Sequence, residues 1–154
     1  MLIKYIHLLV LVIWFGGMIF FSFIAAPSIF KVLPKESAGD VVGDIFPKYY
    51  SIGYISSLVL LCTIYWMGRG QFGLVMVPFI LMTIMTGLTF YSGLAIGPKA
   101  RKIKAEIRQT SDAVQKKELT KTFKKIHGIS MILNISIIGL NLIYLAFVPF
   151  ILRL

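Results

Sequence analysis

Four long apolar stretches of this chain together contain only one charged residue. These stretches limit the folds that the chain can adopt. Within them we predict four membrane spans, Tyr5–Ala26, Tyr49–Met67, Phe72–Ile96 and Ile126–Phe150. Each has roughly the 20 residues that a helix needs to cross about 30 Å of hydrocarbon. The sequence therefore predicts an all-α integral membrane protein, a four-helix bundle in which residues 1–154 form a single domain.

The charged residues lie almost entirely between the spans, and their distribution predicts an orientation. Thirteen of the sixteen Lys and Arg residues lie in the two segments that follow spans one and three, which must share one face. Basic residues favour the cytoplasmic side. We therefore expect a protein of the cell inner membrane with both termini outside the cytoplasm and with anionic lipid head groups around its inner face. This topology explains the net charge of +10, which does not indicate nucleic acid binding.

The two predicted cytoplasmic segments carry apolar residues at helical spacing. In the first, the apolar residues between positions 41 and 46 predict a short amphipathic helix at the membrane surface. In the second, residues 99–125, pairs of apolar residues four apart lie on either side of a polar turn at 109–112. Spans three and four are therefore expected to continue as a cytoplasmic helical hairpin extension.

Two histidines lie near the starts of apolar stretches, His7 in span one and His127 in span four. An ionisable side chain there is costly and by default indicates a functional site. Span one begins outside and span four begins inside, so the two histidines are predicted to lie about 25–30 Å apart. They cannot share one ion, and each needs its own partner.

His7 shares a helix face with Trp14, and three hypotheses fit it. It is a structural histidine bonded to a backbone carbonyl or to Tyr65, or it binds haem b in a pocket shaped by Trp14 and Gly17, or it binds copper as Cu(I). The soft ligands that would complete such a metal site with His7 are Met67, Met76 and Cys62.

Span four carries a polar stripe on one face. Its members are His127, Ser130, Asn134 and Asn141. Amides at this depth must be paired, so the stripe is expected to face protein or a water-lined cavity. Either Asn134 and Asn141 bond to hydroxyl groups of span three between positions 83 and 92, or the stripe lines a polar ligand site or proton path with His127 at its cytoplasmic end.

The predicted spans contain no Asp, Glu, Lys or Arg, which argues against an ion-coupled transporter with a buried carboxylate. The sequence also contains no nucleophile with a matching base, no phosphate-binding loop and no clustered metal ligands. The interpretation therefore leans away from an enzyme.

Several short motifs along the chain resemble known membrane protein families. They are His7-x6-Trp14-x-Gly16-Gly17, Phe20-Phe21, Ala26-Pro27, Phe46-Pro47-Lys48-Tyr49-Tyr50, Gly97-Pro98 and His127-Gly128-x-Ser130-x3-Asn134. The combination resembles the transmembrane protein 205-like family, small four-span proteins with a domain of unknown function. The first helix also resembles the copper-resistance D proteins and the HemJ-type protoporphyrinogen oxidases. The latter resemblance implies that His7 binds haem, but this chain lacks the intramembrane lysine on which those enzymes rely.

These observations lead to one leading hypothesis and two alternatives. The leading hypothesis is that the protein handles haem or a soft metal ion without catalysis. The first alternative is a structural or accessory subunit of a membrane complex, in which the polar stripe only fixes helix packing. The second is a small channel or transporter that uses this stripe. A homo-oligomer or a membrane-complex partner is compatible with each of them.

Overall fold

A computed structural model describes residues 1–153, apart from the side chain of Phe72, and every regular element within them is helical. The α-helices are α1 (Leu2–Phe20), α2 (Ala26–Val32), α3 (Lys35–Met67), α4 (Phe72–Tyr91), α5 (Gly97–Gln109) and α6 (Ala113–Ile151). Two π-helical turns, Phe21–Ala25 and Ser92–Ile96, join α1 to α2 and α4 to α5. The helices therefore form four continuous rods, which we number one to four in chain order.

Each rod is long and apolar enough to cross a membrane. The four candidate spans are Leu2–Val32, Lys35–Met67, Gly73–Gln109 and Ala113–Ile151. They confirm the prediction of an all-α chain with four helices that could span a membrane, and the chain is an integral membrane protein on this ground. Each rod is longer than its predicted span because its helix continues into the polar segments of the sequence.

Each π-helical turn ends two residues before a proline. One precedes Pro27 and the other precedes Pro98. In the first, the Ala26 N–H donates to the carbonyl of Phe21, five residues back, and the second has the same pattern. A proline in a helix has no N–H and its ring crowds an earlier carbonyl. The wider turn lets the helix continue through this position.

Rods that are consecutive in the chain are joined by short connections and pack side by side, and rod four also contacts rod one. The buried core between them includes Leu11, Trp14, Met18, Leu60, Ile64, Met82, Met85, Ile137 and Tyr144. Lys4 donates to the carbonyl of Leu152 at 2.9 Å and so joins the start of rod one to the end of rod four. We call this the terminal end of the bundle, and the opposite end, which holds α2 and α5, the basic end.

The predicted amphipathic surface helix is instead the first part of α3. Ala38 and Val42 are buried in this segment, and Asp40 accepts hydrogen bonds from Lys104 and Arg108 of α5. The apolar face is therefore partly covered by protein, and the helix continues without interruption into the span.

The predicted hairpin extension is not evident as a separate feature. α5 packs against the first part of α6 through Ile103 and Ile126, and it also pairs with α3 through Asp40. The polar segments therefore continue the bundle, since three rods extend together at the basic end.

Candidate functional site

His7 is completely enclosed between rods one, two and four. Its Nδ1 lies 2.7 Å from Thr63 Oγ1, and its Nε2 lies 3.0 Å from the hydroxyl of Tyr144. His7 and Tyr144 each have an exposed fraction of 0%. We call these three residues the histidine cluster. Tyr65, which was considered as a partner of His7, is instead exposed.

The hydrogen bonds of the histidine cluster have a consistent direction. The Thr63 hydroxyl donates to the carbonyls of Val59 and Leu60, at 2.9 and 3.0 Å. Its oxygen therefore accepts from the Nδ1–H of His7, and Nε2 accepts from the Tyr144 hydroxyl. We assign a neutral imidazole with its proton on Nδ1 from this network. Both ring nitrogens are then engaged, as expected of a polar group in a hydrocarbon environment.

This arrangement bears directly on haem or copper binding. Neither nitrogen of His7 can bind a metal without losing a buried hydrogen bond. Cys62 and Met76 lie on the exposed surface of the bundle, and Met67 packs against the core. Within the described part of the chain, no group of three or more His, Cys, Asp or Glu residues could hold a metal ion.

The two residues that the haem hypothesis places around His7 differ in environment, since Trp14 is buried and Gly17 is exposed. Gly17 is exposed, and a Cβ added to it would meet no atom within 4 Å. The close approach to Trp14 is made by Gly53 of α3, where a Cβ would lie 3.3 Å from Trp14 Nε1 and 2.9 Å from Thr89 Cγ2. Gly53 therefore allows the close approach of α3 to Trp14 and Thr89.

Asn134 forms a second polar cluster nearer the basic end. The hydroxyl of Tyr49 donates to its Oδ1 at 2.7 Å, and its Nδ2 donates to Ser22 Oγ at 2.8 Å. We call Ser22, Tyr49 and Asn134 the asparagine cluster. Like the histidine cluster, it joins rods one, two and four.

Three of the four Ser and Thr hydroxyls of span three that were predicted as partners of the asparagines are bonded within their own helix. Thr83, Thr86 and Thr89 each donate to the carbonyl four residues earlier in α4, at 2.8–2.9 Å. Asn141 donates to the carbonyl of Ile137 in its own helix at 3.0 Å. Its Oδ1 is buried and has no hydrogen-bond partner among the described residues.

The residues of the predicted polar stripe do not form one site. His127 is exposed and stacks on Phe123, with ring centroids 6.1 Å apart, and Ser130 lies beside the hydroxyl of Tyr50. His7 is level with Tyr144, which follows His127 by seventeen residues, or about 25 Å of helix. The two histidines are therefore separate, as the sequence predicted.

A small cavity adjoins the asparagine cluster. It has a volume of about 10 Å³ and is lined by residues that include Trp14, Tyr49, Ser92 and Asn134. Ser92 is buried, and its hydroxyl has no partner among the described residues. This volume admits about one water molecule and is far too small for an organic cofactor. Because Ser22 and Ser92 belong to the two π-helical turns, both turns contribute to this region.

Four residues of the two clusters were not predicted as partners, namely Thr63, Tyr144, Tyr49 and Ser22. The sequence offers one indication for Tyr49 and Ser22, since each lies within five residues of a proline at the basic end of its span. Thr63 and Tyr144 had none, because a threonine or tyrosine in an apolar helix is compatible with many environments.

The fold and the two clusters define a polytopic all-α membrane protein with a hydrogen-bonded interior. The chain belongs to the family defined by a domain of unknown function, DUF4149, whose model matches residues 9–109. An uncharacterised protein of Aquifex aeolicus (strain VF5) is 33% identical over 123 residues, which cover 80% of this chain and 79% of that protein. No solved structure matches the chain. These matches do not connect it to the transmembrane protein 205-like family.

Replacing Tyr144 with Phe is expected to lower the free energy of unfolding by about 0.6–2 kcal/mol, the range for hydrogen bonds between membrane helices. The cause is the loss of the bond to His7 Nε2 in the core. Unfolding in mixed micelles followed by circular dichroism measures the effect. Tyr65→Phe is the matched control because that ring is exposed. Equal effects of the two substitutions would contradict the role of the histidine cluster.

Replacing Asn134 or Asn141 with Leu is expected to give different results. Asn134→Leu removes two bonds between rods and leaves Tyr49 and Ser22 without that partner, so it should destabilise the bundle by about 1–3 kcal/mol. Asn141→Leu removes one bond within its own helix and an unpaired buried oxygen. It should be neutral or stabilising in the same unfolding assay. A larger loss for Asn141→Leu would show that the polar contacts are assigned wrongly.

Proposed function

We propose that the protein is a non-catalytic structural or accessory subunit of a membrane complex, and that it contacts its partner through the exposed face of α1. Rod one is the least covered of the four. Only 17% of the most apolar 18-residue stretch of rod one is buried, against 39% in rod two, 33% in rod three and 28% in rod four. This difference is the observation that carries the proposal, since the other rods are enclosed to a greater extent by their neighbours.

The exposed face of α1 also has a surface suited to another helix. Gly16 and Gly17 are both exposed there, and a Cβ on either would meet no atom within 4 Å. Ile13 and Phe20 are exposed on the same helix. Apolar surface alone does not drive association in lipid, whereas small residues allow the close helix approach that does. A transmembrane helix of a partner, or of a second copy, is the occupant that fits this surface.

The interior of the bundle supports the same proposal. His7, Thr63 and Tyr144 bond to one another, and the cavity at Asn134 has room for about one water. These polar groups fasten helices, which is the role that an accessory subunit requires of them. A channel or transporter would need a wider polar path, and this cavity gives that alternative no support.

We further propose that the basic end is cytoplasmic and that both termini lie outside the cytoplasm. The segments at the basic end hold thirteen of the sixteen Lys and Arg residues. In this orientation the polar parts of α3, α5 and α6 form a cytoplasmic extension of the bundle in the inner membrane. Anionic head groups would surround its base.

The hypothesis of haem or soft-metal handling can be tested on the purified protein, where it predicts a bound haem or metal ion. Binding would require His7 to give up a buried hydrogen bond, so we expect no Soret band and no bound copper in protein from haem- and copper-replete cells. Absorption spectroscopy and elemental analysis test this expectation. A Soret band that is lost in His7→Ala and kept in His127→Ala would overturn it.

Replacing Gly17 with Leu is expected to weaken the association severalfold, because the new side chain would separate the two helices. The measurement is the fraction of protein in complexes larger than one chain, after crosslinking in native membranes and extraction in mild detergent. Gly87→Leu is the control, since it is the same substitution at an exposed glycine of α4, where a Cβ would also meet no atom within 4 Å. A wild-type protein that is always a single chain would contradict the proposal.

A further inference from the structure

The basic end carries an open groove between the first part of α3 and α5, with a volume of about 300 Å³. Gly39 and Gly43 of α3 line one side, and Arg101, Lys104 and Arg108 of α5 line the other. The three cations are three and four residues apart, so they share one face of α5. The groove is therefore strongly basic on one wall and lacks side chains on part of the other.

The groove has more positive than negative charge. Asp40 accepts hydrogen bonds from Lys104, at 2.8 Å, and from Arg108, and these neighbours hold the pKa of its carboxyl below its usual range. Glu36 lies 3.7 Å from Arg108. No ion pair within residues 1–153 involves Arg101. The uncompensated charge is therefore at the end of the groove nearest the span.

The position of Arg101 along the rod matches the level of lipid phosphates. The apolar stretch of rod three ends at Pro98. Arg101 and Lys104 follow it by about 4.5 and 9 Å along the helix axis. The polar head groups occupy about 5–8 Å on each side of the hydrocarbon. The two cations therefore lie at or near this layer, while Arg108 lies further out.

The two glycines give the groove its open shape. A Cβ on Gly39 would lie 2.9 Å from Lys104 Nζ, so the absence of a side chain there lets the ammonium group lie against α3. A Cβ on Gly43 would meet no atom within 4 Å. Gly43 is one turn nearer the span than Asp40, as Arg101 is one turn nearer than Lys104, so the free space and the unpaired cation are at the same end.

We propose that this groove binds the phosphate group of an anionic phospholipid of the surrounding bilayer. Arg101 donates to the phosphate oxygens in the forked geometry that guanidinium groups favour. Lys104 is shared between the phosphate and Asp40, and Arg108 keeps its bond to Asp40. The head group occupies the space beside Gly43. The surplus positive charge selects anionic over zwitterionic lipid.

The test uses the full chain, purified in a non-ionic detergent and titrated with phosphatidylglycerol or phosphatidylcholine, with bound lipid counted by native mass spectrometry. The wild-type protein should bind phosphatidylglycerol more tightly than phosphatidylcholine. Arg101→Gln should weaken this binding by about tenfold, as expected for the loss of a charge-assisted hydrogen bond. Gly43→Leu should weaken it to a similar extent with no change in charge.

Lys121→Gln is the matched control, because it removes the same charge from an exposed position on α6 outside the groove. Circular dichroism confirms that each variant is folded, and Gly43→Leu decides the result if Arg101→Gln does not fold. Equal binding of the two lipids, or equal weakening by Lys121→Gln and Arg101→Gln, would overturn the proposal in favour of general charge attraction. Displacement of the lipid by inorganic phosphate at equal concentration would overturn it in favour of a soluble ligand.

Discussion

A polar side chain inside a bilayer has no water to bond with, so it must find its partner within the protein. In this bundle the constraint is met by two clusters that join the same three rods. His7, Thr63 and Tyr144 come from rods one, two and four, and so do Ser22, Tyr49 and Asn134. The clusters are about 15–22 Å apart along the helices. Bonds at these two levels set both the register and the rotation of rod one, which is the rod least buried by its neighbours.

Rod three is held in a different way, and its π-helical turn is central to that arrangement. The hydroxyls of Thr83, Thr86 and Thr89 donate to carbonyls within α4. The α4 part of rod three therefore contacts its neighbours mainly by packing, as at Gly53 and Thr89. Ser92 of rod three, whose hydroxyl is buried, is the first residue of the π-helical turn and lines the cavity beside Asn134. The wide turn therefore brings a polar group of rod three to the level of the asparagine cluster.

The sequence was sufficient to predict the four apolar helices and the turn at 109–112, where Asp112 accepts a hydrogen bond from the N–H of Val114 and caps α6. It placed Asn134 on an inward face but not opposite Tyr49, because helical periodicity gives a direction and not a neighbour. His7 and Tyr144 are 137 residues apart, and no local pattern links them. The two π-helical turns could not be predicted either, since they leave the apolar character of the stretch unchanged.

The π-helical turn before Pro98 also determines which face of α5 meets α3. One extra residue in a turn rotates all following residues by about 100° relative to an uninterrupted α-helix. With this rotation, the face that carries Arg101, Lys104 and Arg108 lies against Gly39 and Asp40. Without the extra residue, this face of α5 would be turned by about 100° from its present direction toward α3. The π-helical turn beside Pro98 thus contributes to the charge arrangement at the basic end.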